Sequence, residues 1–261
     1  MSGRFTGRAC LVTGSTGMGA AAARALAADG GNVFVVSRTA EHARELADSI
    51  VAGGARADWR AADLTQEEAV ASALGACVER FGRLDCVFNV AGISGRRFGD
   101  GPVHELTADG WETVMANNIR SVFLVTRVAV RQMLAQGGGG AIVNMSSVLA
   151  EHPSAPLFST HAYAASKGAI NSFSIAVAAH YARDGIRVNV IAPGLVATPM
   201  SRRAQEDAQI LAYLRERQPL AGGPIAAEDV VGTVLYLLSD DSRMVTGQIV
   251  AVDAGWKVSE G

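Results

Sequence analysis

The stretch Ala9-Cys10-Leu11-Val12-Thr13-Gly14-Ser15-Thr16-Gly17-Met18-Gly19 decides the fold. Its apolar run, Ala9–Val12, enters Thr13-Gly14 directly, and an alanine-rich segment, Ala20–Ala28, follows the last glycine. The run has no polar alternation, so it reads as a strand buried on both faces. A strand, a glycine turn and a helix in that order open a βαβ unit. Glycines in such a turn let the backbone bend sharply and approach a pyrophosphate, whose charge rests at the helix N-terminus. Three glycines alone are a weak signal, and the flanking strand and helix give them weight.

The same alternation continues along the chain. Apolar runs recur at Val33–Val36, Leu84–Val90, Ala141–Met145, Val188–Ile191 and Gln248–Val252, with Arg56–Ala61 a weaker seventh candidate. Between them lie helical patterns at Glu41–Val51, Glu67–Phe81, Trp111–Ala135, Ala162–Ala182 and Ala227–Leu238. Alternation of this kind predicts an α/β fold with one doubly wound, mostly parallel seven-stranded sheet and helices on both faces. No shift of composition marks a second domain, and no solenoid period is present. The polar stretch from Leu195 to Pro224 breaks the rhythm and ends in Gly222-Gly223-Pro224. It follows a strand at the edge where open α/β sheets bind ligands, so it is expected to be a substrate lid.

Composition narrows the function. Of 261 residues, 49% are hydrophobic and 18% charged, with a formal net charge of −2. That supports a sizeable core and gives no electrostatic reason to expect a nucleic-acid or membrane partner. Cys10, Cys77 and Cys86 lack metal-ligand spacing and form no even set for a disulfide framework, so they read as small buried thiols in a reducing compartment, with no metal site. Met1–Arg8 is short and polar, and no apolar run approaches the ~18 residues of a membrane span. A soluble cytoplasmic protein is expected.

The second strand ends at Ser37-Arg38. At this place in a dinucleotide fold an acid would bind a ribose 2′-hydroxyl, whereas an arginine suits a 2′-phosphate. Arg38 therefore favours NADP(H), with NAD(H) as the alternative. Asp63-Leu64, after the third strand, offers a polar turn for an adenine edge. Asn89-Val90-Ala91-Gly92 closes the fourth strand beside the same site.

Tyr163 and Lys167 stand at positions i and i+4 of a helix, so phenol and ammonium share a face. A cation ~4 Å from the phenol at an effective dielectric of ~20 is worth roughly 4 kcal/mol, enough to bring its titration toward neutrality, with burial opposing. A tyrosine so placed is suited to general acid/base work. Strand Ala141–Met145 ends in Ser146-Ser147 at the same sheet edge, where a hydroxyl can hold a substrate oxygen.

With these motifs in order (glycine loop, Asn-x-Ala-Gly, an asparagine in the following helix, Ser, Tyr-x-x-x-Lys and Pro-Gly), the chain resembles the short-chain dehydrogenase/reductase family over essentially its full length. The resemblance implies a single Rossmann-type domain over residues 1–261 that transfers a hydride between NADP(H) or NAD(H) and a small alcohol or carbonyl. Its catalytic tetrad falls on Asn118, Ser147, Tyr163 and Lys167. Ser147 would orient the carbonyl and Tyr163 would exchange the proton. Lys167 would lower the phenol's pKa and bind the nicotinamide ribose, and Asn118 would hold a relay water. Asn118 is preferred to Asn117 because Asn118 and Phe123 meet the family's Asn-x-x-x-x-Phe pattern, and Ser147 is preferred to Ser146 as the later of the pair. The cofactor would meet Gly14, Ser15, Thr16, Gly17, Met18, Gly19, Ser37, Arg38, Asp63, Leu64, Asn89, Ala91, Gly92, Tyr163, Lys167, Pro193, Gly194, Val196 and Thr198.

Two features depart from the family pattern. The glycine loop is one residue shorter than Thr-Gly-x-x-x-Gly-x-Gly. The segment from Ser147 to Tyr163, which contains His152, Pro153, Pro156 and His161, is long. Arg96, Arg97, Arg202 and Arg203 lie in segments expected to border the substrate pocket, which leaves a 3-oxoacyl or other anionic substrate open beside a cyclic ketone, a sugar or a secondary alcohol. A non-catalytic nucleotide sensor on the same fold is the competing class, and an epimerase or dehydratase would need a larger substrate domain. The long helices Trp111–Ala135 and Ala162–Ala182 carry surplus apolar surface. By family resemblance they imply a homotetramer, in which the tail through Trp256 could take part.

Overall fold

The computed structural model describes residues 3–155 and 157–259. Met1, Ser2, Pro156, Glu260 and Gly261 lie outside the described residues. Seven parallel strands form one sheet in the order β3-β2-β1-β4-β5-β6-β7. They are β1 (Ala9–Thr13), β2 (Asn32–Ser37), β3 (Ala57–Ala61), β4 (Cys86–Asn89), β5 (Gly140–Met145), β6 (Ile186–Pro193) and β7 (Ile249–Val252). The helices are α1 (Gly17–Ala28), α2 (Ala40–Ala52), α3 (Glu67–Phe81), α4 (Ala108–Met115), α5 (Ser121–Gln136), α6 (His161–Tyr181), α7 (Arg202–Glu206), α8 (Ala208–Arg217) and α9 (Ala227–Leu238).

β1 is buried at every position, as its unbroken apolar run requires. One face of the sheet packs on α1, α2 and α9 through Leu26, Leu46, Ile50, Val230 and Val234. The other packs on α3, α5 and α6 through Leu74, Leu124, Met133 and Ala178. The three cysteines are free thiols buried within these cores. β1 pairs β2 on one side and β4 on the other, so the chain reverses its winding there and opens a crevice at the strands' C-terminal ends.

One expectation needs correction. The helix expected over Trp111–Ala135 is α4 and α5 joined by a π turn, Ala116–Arg120. The segment from 195 to 224, expected as a substrate lid, has secondary structure of its own. It folds into α7 and α8, whose Ala204, Ile210 and Leu214 form a satellite core with Val148 and Trp256. Its two ends meet at a parallel bridge, Val196 to Ile225, and the buried Gln218 side chain ties Leu195 to Gly223 by donating to both carbonyls. Helices this short and polar carry little periodicity to read. Trp256 is buried against Phe158 and Tyr213.

Candidate active site

One cleft runs along the C-terminal edge of the sheet. Its two halves share Met18, Val90, Gly92, Ile93, Thr198 and Met200. The first half is built on the glycine loop. β1 stops at Thr13 and α1 starts at Gly17, leaving Gly14, Ser15 and Thr16 as the turn. Thr13 Oγ1 accepts from the N–H groups of Val90 and Ala91 at 3.0 and 3.2 Å, fastening the end of β4 to the end of β1. Ser15 Oγ donates to Ser37 Oγ at 2.9 Å, fastening the loop to β2. Gly17 has φ +51, a left-handed conformation that glycine adopts without strain. A Cβ at Gly19 would collide with the Gly14 carbonyl, so the helix approaches the loop only because that side chain is absent. No acidic residue stands in the first turn of α1, and its leading N–H groups have no partners within the helix. That end of the cleft is built for an anion.

Ser37, Arg38, Asp63 and Leu64 line the outer end of this half, together with His42. Arg38 is exposed. Asp63 Oδ1 accepts from the Thr65 N–H at 3.0 Å and from the Thr65 hydroxyl at 2.8 Å. The backbone bond chiefly holds its carboxyl below the ordinary value; desolvation opposes it, and the Thr65 hydroxyl and the Arg38 charge add smaller lowering contributions.

The second half contains Ser147, Tyr163 and Lys167, with Pro193, Gly194, Val196 and Thr198 along one wall. The two serines that end β5 face different ways. Ser146 Oγ donates to the Lys167 carbonyl at 3.1 Å, whereas the Ser147 hydroxyl meets the Tyr163 phenol and accepts from the Leu149 N–H at 3.2 Å. Lys167 is buried; its Nζ donates to the Met145 carbonyl at 2.8 Å and stands 5.5 Å from the centre of the Tyr163 ring. Burial lowers Lys167 to about 8. Burial also raises Tyr163 above the ordinary phenol value, with the Ser147 hydrogen bond pulling the other way. The expected net lowering of the phenol by Lys167 is therefore not what the chain by itself produces. Desolvation disfavours both charged forms.

Gly19, Asn89 and Asn118 stand behind the cleft wall rather than in it. Asn89 Nδ2 donates to Asn144 Oδ1 at 2.8 Å, and Asn144 Nδ2 donates to Ser174 Oγ at 2.9 Å, a buried polar ladder beneath the site. Asn118 sits in the π turn with no exposed surface. Its Oδ1 accepts from the Ile93 N–H at 2.8 Å, and its Nδ2 donates to the Ile93 carbonyl at 3.1 Å and to Ser166 Oγ at 3.0 Å. Asn117 donates to the Thr113 carbonyl and borders the cleft. Of the four arginines read as possible pocket residues, Arg96 and Arg203 line the second half and Arg97 and Arg202 do not. His161 opens α6 exposed to solvent and is not part of the wall. Sequence reasoning missed Phe158, Thr160, Met200 and the pocket face of Trp256. None carries a local signal, because distant segments assemble this wall.

Residues 12–257 match the family model described as enoyl-(acyl carrier protein) reductase. The chain is 37% identical to cis-4-hydroxycyclohexanecarboxylate dehydrogenase of Sinomonas cyclohexanicum, covering 98% of this chain and 99% of that protein. It is 34% identical to gluconate 5-dehydrogenase of Gluconobacter oxydans, covering 98% and 96%. Its fold superposes on a short-chain type dehydrogenase/reductase from Mycobacterium ulcerans with a TM-score of 0.91 at 30% identity, covering 98% of this chain and 92% of the other. A doubly wound sheet, a glycine-loop cleft and full-length relatives of this kind make the chain a member of the short-chain dehydrogenase/reductase family, an oxidoreductase acting on CH–OH and C=O groups.

Proposed function

We propose that this enzyme is an NADP(H)-dependent oxidoreductase of secondary alcohols and ketones in which Tyr163 exchanges the proton. The observation that carries the reading is the convergence of Ser147, Tyr163 and Lys167 in a pocket continuous with the glycine-loop cleft. The cleft fits a dinucleotide. A short glycine turn leads into a helix N-terminus free of acidic residues, and Arg38 stands at the outer end. When bound, the nicotinamide supplies or takes up the hydride.

The chain's own residues do the rest. Ser147 Oγ donates to the substrate oxygen and holds it beside Tyr163 Oη. In reduction, the neutral phenol donates its proton to that oxygen, and burial keeps the phenol neutral at pH 7. In oxidation, the phenolate takes the alcohol's proton, with the Lys167 ammonium stabilising its charge. Asn118 has its side-chain amide committed to Ile93 and Ser166, so it positions the site rather than holding a water by that amide. The helix α7 lines the substrate half, α8 packs behind it on Ala204 and Trp256, and together they form its lid.

A cyclic or sugar alcohol is the leading substrate class, supported by the hydroxyl-bearing cyclohexane ring named for one relative and the gluconate named for another. NAD(H) is the second reading, favoured by Asp63, whose carboxylate competes for the Arg38 charge. Exposed Phe123, Leu134 and Ile175 on α5 and α6 support a homotetramer, and three buried free thiols suit a cytoplasmic location. The deciding experiment titrates NADPH and NADH by nicotinamide fluorescence with wild type and Arg38→Ala, then follows reduction of a cyclic ketone with wild type and Tyr163→Phe. The expected result is tighter NADPH binding, a loss of about tenfold or more of that preference in Arg38→Ala, and a fall in turnover of at least about 100-fold in Tyr163→Phe. NADH preference in wild type reverses the cofactor assignment, and full activity of Tyr163→Phe removes the proton role.

A further inference from the structure

The substrate half of the cleft has two chemically distinct ends. At its floor, Ser147, Tyr163 and Lys167 gather around the place where an oxygen reacts. Its body is apolar, walled by Leu149, Phe158, Leu195, Met200 and Trp256. Two guanidinium groups complete it, Arg96 from the segment after β4 and Arg203 from α7.

Both arginines keep exposed surface at the mouth of this apolar body, and two cations facing one cavity repel each other. Burial first, and Arg203 second, press the Arg96 pKa below its ordinary value, against the attraction of Asp100. The carboxylates nearby do not neutralise the pair. Asp100 is committed to the Ala162 and Tyr163 N–H groups at 3.0 Å each. Arg203 has a single contact of 3.6 Å to Asp207, and Asp207 accepts in turn from two amides at the start of α8. Among the described residues Arg96 donates to a neutral acceptor, the Leu157 carbonyl, at 3.1 Å. The indole N–H of Trp256, in the same wall, is buried and meets no acceptor among the described residues.

We infer that Arg96 and Arg203 form a carboxylate subsite, so that the substrate is a hydroxy or oxo acid whose apolar, ring-sized body joins the reacting carbon to a carboxylate. The inference rests on the reading of Ser147 and Tyr163 as the reacting end. A carboxylate placed there relieves the repulsion and accepts charge-assisted hydrogen bonds from both arginines. It also fixes which ring carbon reaches Tyr163, so the pair sets regiochemistry as well as affinity. The two arginines come from different segments, one on the α7 cover, so the bound acid bridges the cover to the sheet edge.

The test separates binding from chemistry. Calorimetry with NADPH-saturated enzyme compares cyclohexanecarboxylate with cyclohexanecarboxamide as non-reacting probes. Wild type is expected to prefer the carboxylate by about tenfold or more. Arg96→Met/Arg203→Met is expected to bring that ratio to about one, the two Arg→Lys variants to retain part of it, and Arg203→Glu to favour an amine-bearing ring instead. Circular dichroism of each variant checks that the fold is kept. Equal binding of the two probes by wild type, or an unchanged ratio in the double variant, overturns the subsite. Kinetics on 4-oxocyclohexanecarboxylate and its methyl ester then address the reacting end. Turnover of both at equal kcat/KM defeats the subsite while leaving the oxidoreductase reading, whereas carboxylate preference in binding with no turnover of either ketone defeats the Tyr163 reading and leaves the subsite.

Discussion

Asp100 is the residue on which the geometry of Tyr163 depends most directly. It is buried, it comes from the segment after β4, and its two carboxylate oxygens accept from the Ala162 and Tyr163 N–H groups at 3.0 Å each. Those are leading amides of α6, which otherwise has no side-chain cap from Thr160. Replacing Asp100 with alanine leaves two donors unpaired in a buried place and removes a negative charge from a helix N-terminus. At about 1–1.5 kcal/mol for each lost bond and up to about 1 for the charge, the cost is about 3 kcal/mol. For a domain of this size, that lowers Tm by about 6–12 °C. Asp100→Asn keeps one acceptor oxygen and the shape, and is expected to lose about half as much. Asp100 touches neither substrate nor cofactor in this reading, so it acts by positioning. kcat is expected to fall in Asp100→Ala while the fluorescence Kd for NADPH stays near wild type, because the glycine-loop half is fastened by Ser15 to Ser37 and by Thr13 to Val90 and Ala91. The measurements are differential scanning fluorimetry and steady-state kinetics on all three proteins. A Tm within about 2 °C of wild type in Asp100→Ala, or a fall in NADPH affinity as large as the fall in kcat, would falsify the claim that this carboxylate holds the start of α6.

Two other perturbations follow from the same geometry. Ser147→Ala removes the hydrogen bond that pulls the Tyr163 phenol down, so the alkaline rise of the oxidation rate, which needs phenolate, should move to higher pH, and kcat should drop by about 100-fold. An unmoved pH profile would show that Ser147 does not face the phenol in solution. Gly17→Ala forces a side chain into a backbone at φ +51 and places its Cβ 2.9 Å from Thr198 Cγ2. A stability loss of about 1–2 kcal/mol and weaker NADPH binding are expected, and unchanged values of both would mean that the loop re-forms without strain.

The elements legible in the sequence are those whose burial is symmetric. β1, β2, β5 and β6 are flanked by helices on both faces, so their runs are mainly apolar, with buried Asn144 and Asn189 the interruptions in β5 and β6, and the order of runs and helical patterns leads directly to the parallel sheet. β3 is legible only weakly because it is the edge strand, with Arg60 and Ala61 exposed. The glycine turn announces itself because only glycine meets its backbone demands. The segment from 195 to 224 is opaque for the opposite reason. α7 and α8 bury little more than Ala204, Ile210 and Leu214, and what holds them, Gln218 on Leu195 and Trp256 beneath, is distant in sequence. The same distance hides the substrate wall. It also explains why four arginines look alike on paper, while the fold turns two of them into the pocket.

Asn118 shows how a position can be legible and its work not. The pattern around it marks the residue, but an uninterrupted helix from Trp111 gives no hint of the π turn that holds it. A π turn inserts one extra residue into the helical repeat, and one residue is about 100° of rotation. The carbonyls of Asn117 and Asn118 both accept from Ser121 Oγ, at 2.7 and 3.2 Å. The Asn118 amide bonds Ile93 on one side and Ser166 on the other. It thereby ties the exit of β4, which borders the glycine loop, to the turn of α6 between Tyr163 and Lys167. Ser146 and the Lys167 Nζ make the matching tie from β5 to α6, through the Lys167 and Met145 carbonyls. The cofactor half and the substrate half are thus registered by side chains that both halves hide from solvent. A substitution at Asn118 should therefore disturb the alignment of the two halves before it disturbs either one alone.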